Sequence, residues 1–154
     1  ADKVRILVQR SLASRVSVDG KIVGQIPNGL VLLVGFAKDD DGTDIDYMIK
    51  KVLNLRIFED ENNIMNKSIL DVKGEILSIS QFTLYADTKK GNRPSYTSAI
   101  NRIEAEKLYT LFNEKLAEKI KVSTGIFGAD MLVSIQNDGP VTILLESRKA
   151  NGEK

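Results

Sequence analysis

Two short stretches of this 154-residue chain carry side chains suited to chemistry, Ser80-Gln81-Phe82-Thr83-Leu84-Tyr85-Ala86 and Asn137-Asp138-Gly139-Pro140-Val141-Thr142. Neither contains histidine or cysteine, and the chain has no residue of either type. That composition excludes Ser-His-Asp and Cys-His nucleophile pairs and zinc held by Cys or His. It also removes the one side chain whose unperturbed pKa lies near neutrality. A catalyst built from this sequence must use carboxylates, hydroxyls, amides, lysines, backbone N–H groups or the substrate's own atoms.

The first stretch follows Ile76, Leu77 and Ile79, so Ser80, Gln81 and Thr83 fall where a buried strand is expected to continue. Buried hydroxyls and amides cost free energy unless paired. Either the strand simply ends in water there, or these groups serve a site. A regular strand puts Gln81 and Thr83 on one face and Ser80 and Phe82 on the other, so a site using both Ser80 and Thr83 requires a bulge or twist. The second stretch has the composition of a β-turn. Yet Pro140 removes a ladder donor where the next strand begins, and Gly139 leaves the backbone unshielded. A cis Gly-Pro bond, a state found in about 5–6% of X-Pro bonds, would fix the direction of two main-chain carbonyls.

Three weaker signals accompany them. Gly125-Ile126-Phe127-Gly128-Ala129-Asp130-Met131 is either a tight corner or a floor for a flat ring. Lys89-Lys90-Gly91-Asn92-Arg93 is a solvated loop or a phosphate contact. Asp87, Asp130 and Asp138 could gather as a magnesium site, although their spacing matches no ligand loop.

Hydrophobic periodicity supplies the elements that must position these groups. Val4 to Val8 alternates as a strand does. Asp19-Gly20 lies between Arg15–Val18 and Ile22–Ile26, a strong hairpin signal, and Gly29 to Phe36 is a run suited to burial on both faces. Asp39-Asp40-Asp41-Gly42 is a polar loop leading to Thr43 as expected N-cap. Ile45, Met48, Ile49, Val52 and Leu53 then form one helical stripe. Glu59 to Lys67 reads as a loop, Ile76 to Tyr85 as a strand, and Asp87 to Pro94 as a loop. Asn101 with Glu104 opens a second helix as a capping box, with Ala105, Leu108, Tyr109, Phe112 and Leu116 inward. Two strands follow, Met131–Gln136 and Val141–Leu145, interrupted at Asn137–Pro140. The tail from Ser147 is polar and expected to fray.

These elements predict an α+β fold, with about seven strands in mixed sheets covered by two main helices. The length suits one domain over residues 1–154, and 42% hydrophobic with 28% charged residues is an ordinary globular composition. The longest apolar run is too short to span a bilayer. No leader-like segment is read at the start, so the expected location is cytoplasmic. A net charge of +1 decides nothing about nucleic acid.

Taken together, the residues resemble the D-aminoacyl-tRNA deacylase family. The resemblance rests on Ser80-Gln81-Phe82-Thr83-Leu84 and Asn137-Asp138-Gly139-Pro140-Val141-Thr142 in that order. Val8-Gln9-Arg10, Asn54-Leu55-Arg56-Ile57-Phe58, Lys90-Gly91-Asn92-Arg93-Pro94 and Phe127-Gly128-Ala129 also match. It implies a three-layer α/β/β arrangement and a homodimer. The implied reaction hydrolyses the ester between a D-amino acid and the 3′-terminal adenosine of tRNA, and removes glycine from mischarged tRNA. By resemblance, Gly139 and a cis Pro140 form a chiral gate reaching into the partner subunit's site, Arg10 orients it, and Asn137 is a further substrate-binding residue. Ser80, Gln81, Phe82 and Thr83 line the ester, while Phe127, Gly128 and Ala129 hold the adenine. Neither metal nor cofactor is expected, nor a membrane or DNA partner. Thr83 acts either as a nucleophile or base or by positioning alone, and the lack of a histidine to activate its hydroxyl favours positioning. The ribose hydroxyl and N–H groups near Phe82 would then assist the reaction. The alternatives are a same-fold enzyme editing another mischarged aminoacyl-tRNA, or a non-catalytic dimer that binds RNA ends.

Overall fold

A computed structural model describes residues 3–96 and 100–147. In chain order its strands are β1 (Arg5–Ser11), β2 (Ser14–Val18), β3 (Lys21–Ile26), β4 (Gly29–Gly35), β5 (Phe58–Glu59), β6 (Met65–Lys67), β7 (Glu75–Ser80), β8 (Val122–Thr124), β9 (Leu132–Ser134) and β10 (Asn137–Glu146). Two helices, α1 (Gly42–Asn54) and α2 (Arg102–Ala117), and a 3₁₀ turn at Phe82–Tyr85 complete the described elements.

The central sheet runs β10-β1-β4-β7-β8. β1 is antiparallel to both β10 and β4, whereas β4, β7 and β8 are parallel. A second sheet, β3-β2-β9, covers one face. The pleat of β4 accounts for the layers. Leu30, Leu32 and Val34 join a core with Ile45, Met48 and Val52 of α1 and Phe112 and Leu116 of α2. Val31 and Leu33 point the other way, into a core with Val16, Ile26, Leu77 and Ile79. A strand buried on both faces needs an unbroken apolar run, which Leu30–Val34 supplies. The order of layers is helices, central sheet, second sheet, an α+β fold.

The hairpin turns at Asp19 (φ 52°) and Gly20 (φ 80°), as two-residue loops with the right twist demand. The α1 stripe is buried at all five predicted positions. In α2, Tyr109, Phe112 and Leu116 are buried, while Ala105 and Leu108 are only half-buried.

The structure departs from expectation in several places. Asp41, not Thr43, is the N-cap of α1: its carboxylate accepts from the Thr43 and Asp44 amides, and Asp44 accepts from the Asp41 amide. A carboxylate with this reach satisfies two orphan amides at once. Glu59 to Lys67 is not a plain loop but contains the small β5–β6 hairpin. Asp60 folds it by accepting from the Asn62 and Ile64 amides. The strand expected to run from Ile76 to Tyr85 stops at Ser80. β8 has no counterpart in the periodicity, and β10 begins at Asn137 rather than Val141. Ser147, expected to open a frayed tail, is buried and pairs with Val4 through backbone and side chain; residues 148–154 lie outside the described residues.

Candidate functional site

The strand β7 ends because its parallel neighbour does. Gln81 donates its amide to Val34 at 2.8 Å, the last rung beside β4. The chain then turns through the 3₁₀ helix, and the Tyr85 ring lies against Gly35, where any Cβ would come within 2.8 Å of the ring. The Tyr85 hydroxyl donates to the Gly35 carbonyl at 3.0 Å and also to that of Lys3. This turn supplies the break in strand periodicity that joint use of Ser80 and Thr83 requires. The amides of Phe82 and Thr83 open the turn, where backbone N–H groups have no acceptor within the helix.

A cleft of about 520 Å³ opens here. Ser80, Gln81 and Phe82 line it together with Phe127, Gly128 and Ala129, and Ile79, Met131 and Val133 add apolar lining. Six of the predicted residues therefore share one cavity. Thr83 is exposed beside it, and its hydroxyl accepts from the Gln81 side-chain amide. Phe127 is anchored from below by Tyr109, their ring centroids 5.9 Å apart. Burial pushes the Tyr109 hydroxyl above the usual tyrosine range, and it donates to the Ser78 carbonyl at 2.7 Å.

Arg102 joins the site without having stood out in the sequence. It occupies the first position of α2 and lines the cleft. Its guanidinium crosses Gly128, where any Cβ would collide with Nη2. Gly128 also has φ +80°, so the residue is suited to glycine on both counts. The signal available in the sequence was a cation directly after the Asn101 cap, a place where the helix dipole favours the opposite charge.

Arg10, Asn137, Gly139 and Pro140 gather elsewhere, and none of these four lines this cleft, whereas Asp130 does. Asn137 donates from Nδ2 to the carbonyls of Arg10 (3.0 Å) and Val141 (3.1 Å), and its Oδ1 accepts from the Thr142 hydroxyl at 3.0 Å. Between these tethers the chain carries Gly139 and Pro140, both exposed, joined by a cis peptide. Arg10 is buried, donates from Nη1 to the Ile57 carbonyl at 2.8 Å, and approaches Asp138 at 3.3 Å. Gly139 has φ +119°, and a Cβ there would lie 2.9 Å from Val141 Cγ2 and 3.0 Å from Arg10 Nη2. Asp87, Asp130 and Asp138 do not assemble: among the described residues no three carboxylates cluster as metal ligands. Nor is any helix among the described residues long and apolar enough to cross a membrane.

Comparison with known proteins places these features in a family. Residues 7–146 match the family described as D-Tyr-tRNA(Tyr) deacylase. A Clostridium novyi (strain NT) protein named D-aminoacyl-tRNA deacylase is 56% identical over 147 residues, covering 95% of this chain and 99% of that protein. The solved structure of a c-Myc DNA Unwinding Element Binding Protein superposes with a TM-score of 0.89 at 41% identity, over 94% of this chain and 99% of the other. A structure described as a "probable eukaryotic D-amino acid tRNA deacylase" gives 0.80 at 17% identity over 94% and 99%, and shares the fold.

Proposed function

This chain belongs to the D-Tyr-tRNA(Tyr) deacylase family and is a hydrolase of the D-aminoacyl-tRNA deacylase class; from that premise we propose how it selects and cleaves its substrate. The ester joins a D-amino acid to the terminal adenosine of tRNA. Phe127, Gly128 and Ala129 hold the adenine in the cleft, with Ser80 and Gln81 along the ester. Water attacks the ester carbonyl, and the carbonyl oxygen takes up negative charge facing the Phe82 and Thr83 amides. The tetrahedral intermediate collapses, O3′ leaves with a proton, and the amino acid departs as its carboxylate. Without histidine or cysteine in the chain, the neighbouring ribose 2′-hydroxyl carries the proton traffic. Thr83, held by Gln81, positions rather than attacks.

Selection against L-amino acids must be active, because they are the commoner competitor. Gly139 and Pro140 act as that gate in the cleft of a partner subunit, with Arg10 and Asn137 fixing their position. A wall of main chain leaves space for hydrogen on one side of the substrate's Cα and none for a side chain. Glycine, having no side chain on either side, also passes, so glycine mischarged on another tRNA is a second substrate. Such an enzyme acts in the cytoplasm as a homodimer. The observation that carries this reading is that one chain keeps its two clusters apart: six motif residues line the cleft, and the Gly139-Pro140 cluster lines none of it.

The test is complementation between subunits. One subunit carries Ala129→Trp to fill its cleft; the other carries Gly139→Ala. Each homodimer should be inactive or unselective, while the mixed dimer regains one selective site. A mixed dimer no better than its parents would refute a gate acting in trans.

A further inference from the structure

We propose that Phe82 and Tyr96, with the loop bearing Lys89, Lys90 and Arg93, bind the single-stranded nucleotides that precede the terminal adenosine. This rests on the reading of the cleft given above. Phe82 is 63% exposed although it is a large apolar side chain. Its ring lies 5.0 Å from that of Tyr96 at 55°, so the two form one aromatic pair, of which Phe82 itself lines the cleft. The loop between them begins and ends at this pair. Asp87 and Ser95 exchange backbone hydrogen bonds of 2.8 and 2.9 Å, closing its base. The Asp87 carboxylate is occupied by the Lys89 amide at 2.9 Å. Three cations then stand on one short exposed loop of a chain whose formal net charge is only +1. Among the described residues none of the three makes an ion pair.

An aromatic platform beside a cationic rim is how single-stranded nucleic acid is bound without sequence reading: bases stack, and phosphates meet lysine or arginine. A strand whose terminal adenosine is seated at Phe127–Ala129, with its ester at Gln81, can leave past Phe82. Its next bases then meet the Phe82–Tyr96 pair, and its phosphates meet the loop.

The experiment compares kcat/KM on D-aminoacyl-adenosine, which lacks those nucleotides, with kcat/KM on the same D-amino acid carried by intact tRNA. Tyr96→Ala should lower the value on tRNA about tenfold, within the range of one missing base stack, and shift the adenosine ester less than about twofold. Tyr96→Phe should restore the tRNA value. Replacing Lys89, Lys90 and Arg93 by glutamine should flatten the salt dependence on tRNA by about 0.7 in log–log slope for each phosphate no longer neutralised. Equal losses on both substrates, or no loss on tRNA, would overturn the platform. If the unaltered protein cleaves neither ester, the catalytic reading fails. The platform is then judged by affinity for an uncharged RNA hairpin ending in single-stranded CCA. Weaker binding of that hairpin by Tyr96→Ala supports it, and unchanged binding overturns it.

Discussion

Arg10 and Asp138 meet with 3.3 Å between Nε and Oδ2, across the boundary between a buried strand and an exposed segment. The Arg10 side chain is 10% exposed and that of Asp138 42%. Nε makes no hydrogen bond, so the contact is one of charge, and the directed bond from this guanidinium goes to the Ile57 carbonyl at 2.8 Å. Arg10 thus ties the segment ahead of Gly139 to the interior. Removing a buried partner costs more than removing an exposed one. Arg10→Ala should destabilise the fold by about 3 kcal/mol, and Asp138→Asn by under about 1 kcal/mol. Both should raise hydrolysis of L-aminoacyl-tRNA relative to the D form. Thermal denaturation and paired rate assays check the two halves separately.

Gly139→Ala should cut the rate on D-aminoacyl-tRNA at least about tenfold with a smaller effect on stability. An added Cβ meets Val141 and Arg10 at or below 3.0 Å, and φ +119° disfavours any side chain. Since Gly139 is exposed at the sheet edge, the displacement is absorbed locally. The check is kcat/KM alongside the melting temperature.

Gly128→Ala should weaken the hold on adenosine. The new Cβ displaces the end of Arg102, a flexible side chain, so the cost falls on the cleft more than on folding. Free adenosine as a competitor should show a several-fold higher inhibition constant, with kcat less affected than KM.

Tyr109 supplies a pH signature. Its pKa is raised by burial above the ordinary value of about 10, so above that pH the unfolded chain loses a proton that the folded chain keeps. Stability contributed by the neutral hydroxyl is present below about pH 10 and lost as pH rises toward the folded value. Tyr109→Phe should be about 1 kcal/mol less stable at neutral pH for want of the bond to Ser78, with the gap narrowing above about pH 10. Denaturant midpoints across that range check it. The rate profile itself should show no histidine-like inflection from the protein.

Thr83→Ala should retain measurable activity, whereas tRNA ending in 2′-deoxyadenosine should be cleaved far more slowly. Single-turnover rates on both substrates separate a positioning hydroxyl from an attacking one.

Much of this was legible in the residues. The α1 stripe, the Asp19-Gly20 turn and the two-sided burial of Leu30–Val34 follow from period and composition alone. What was hidden depends on distant partners. Ser80–Tyr85 reads as strand until one sees β4 end at Gly35 and Tyr85 fold back over it. Asn137–Pro140 reads as a turn, but β10 is an edge strand, where a proline without N–H costs no ladder bond on its outer side. Asn137 then replaces turn geometry with tethers to Arg10 and Val141. β8 is three residues long and exists because β7 offers it a parallel edge. Of the two stretches that line the cleft, Ser80–Phe82 stands out in the sequence by its composition, whereas Phe127–Ala129 reads equally well as a tight corner. Arg102 does not stand out, because only its packing against Gly128 brings it in.

The most direct test uses one tRNA charged with the D and the L form of the same amino acid. The D ester should be hydrolysed catalytically, while the L ester decays at its rate without protein. Comparable catalysis of both would contradict a gate at Gly139 and Pro140.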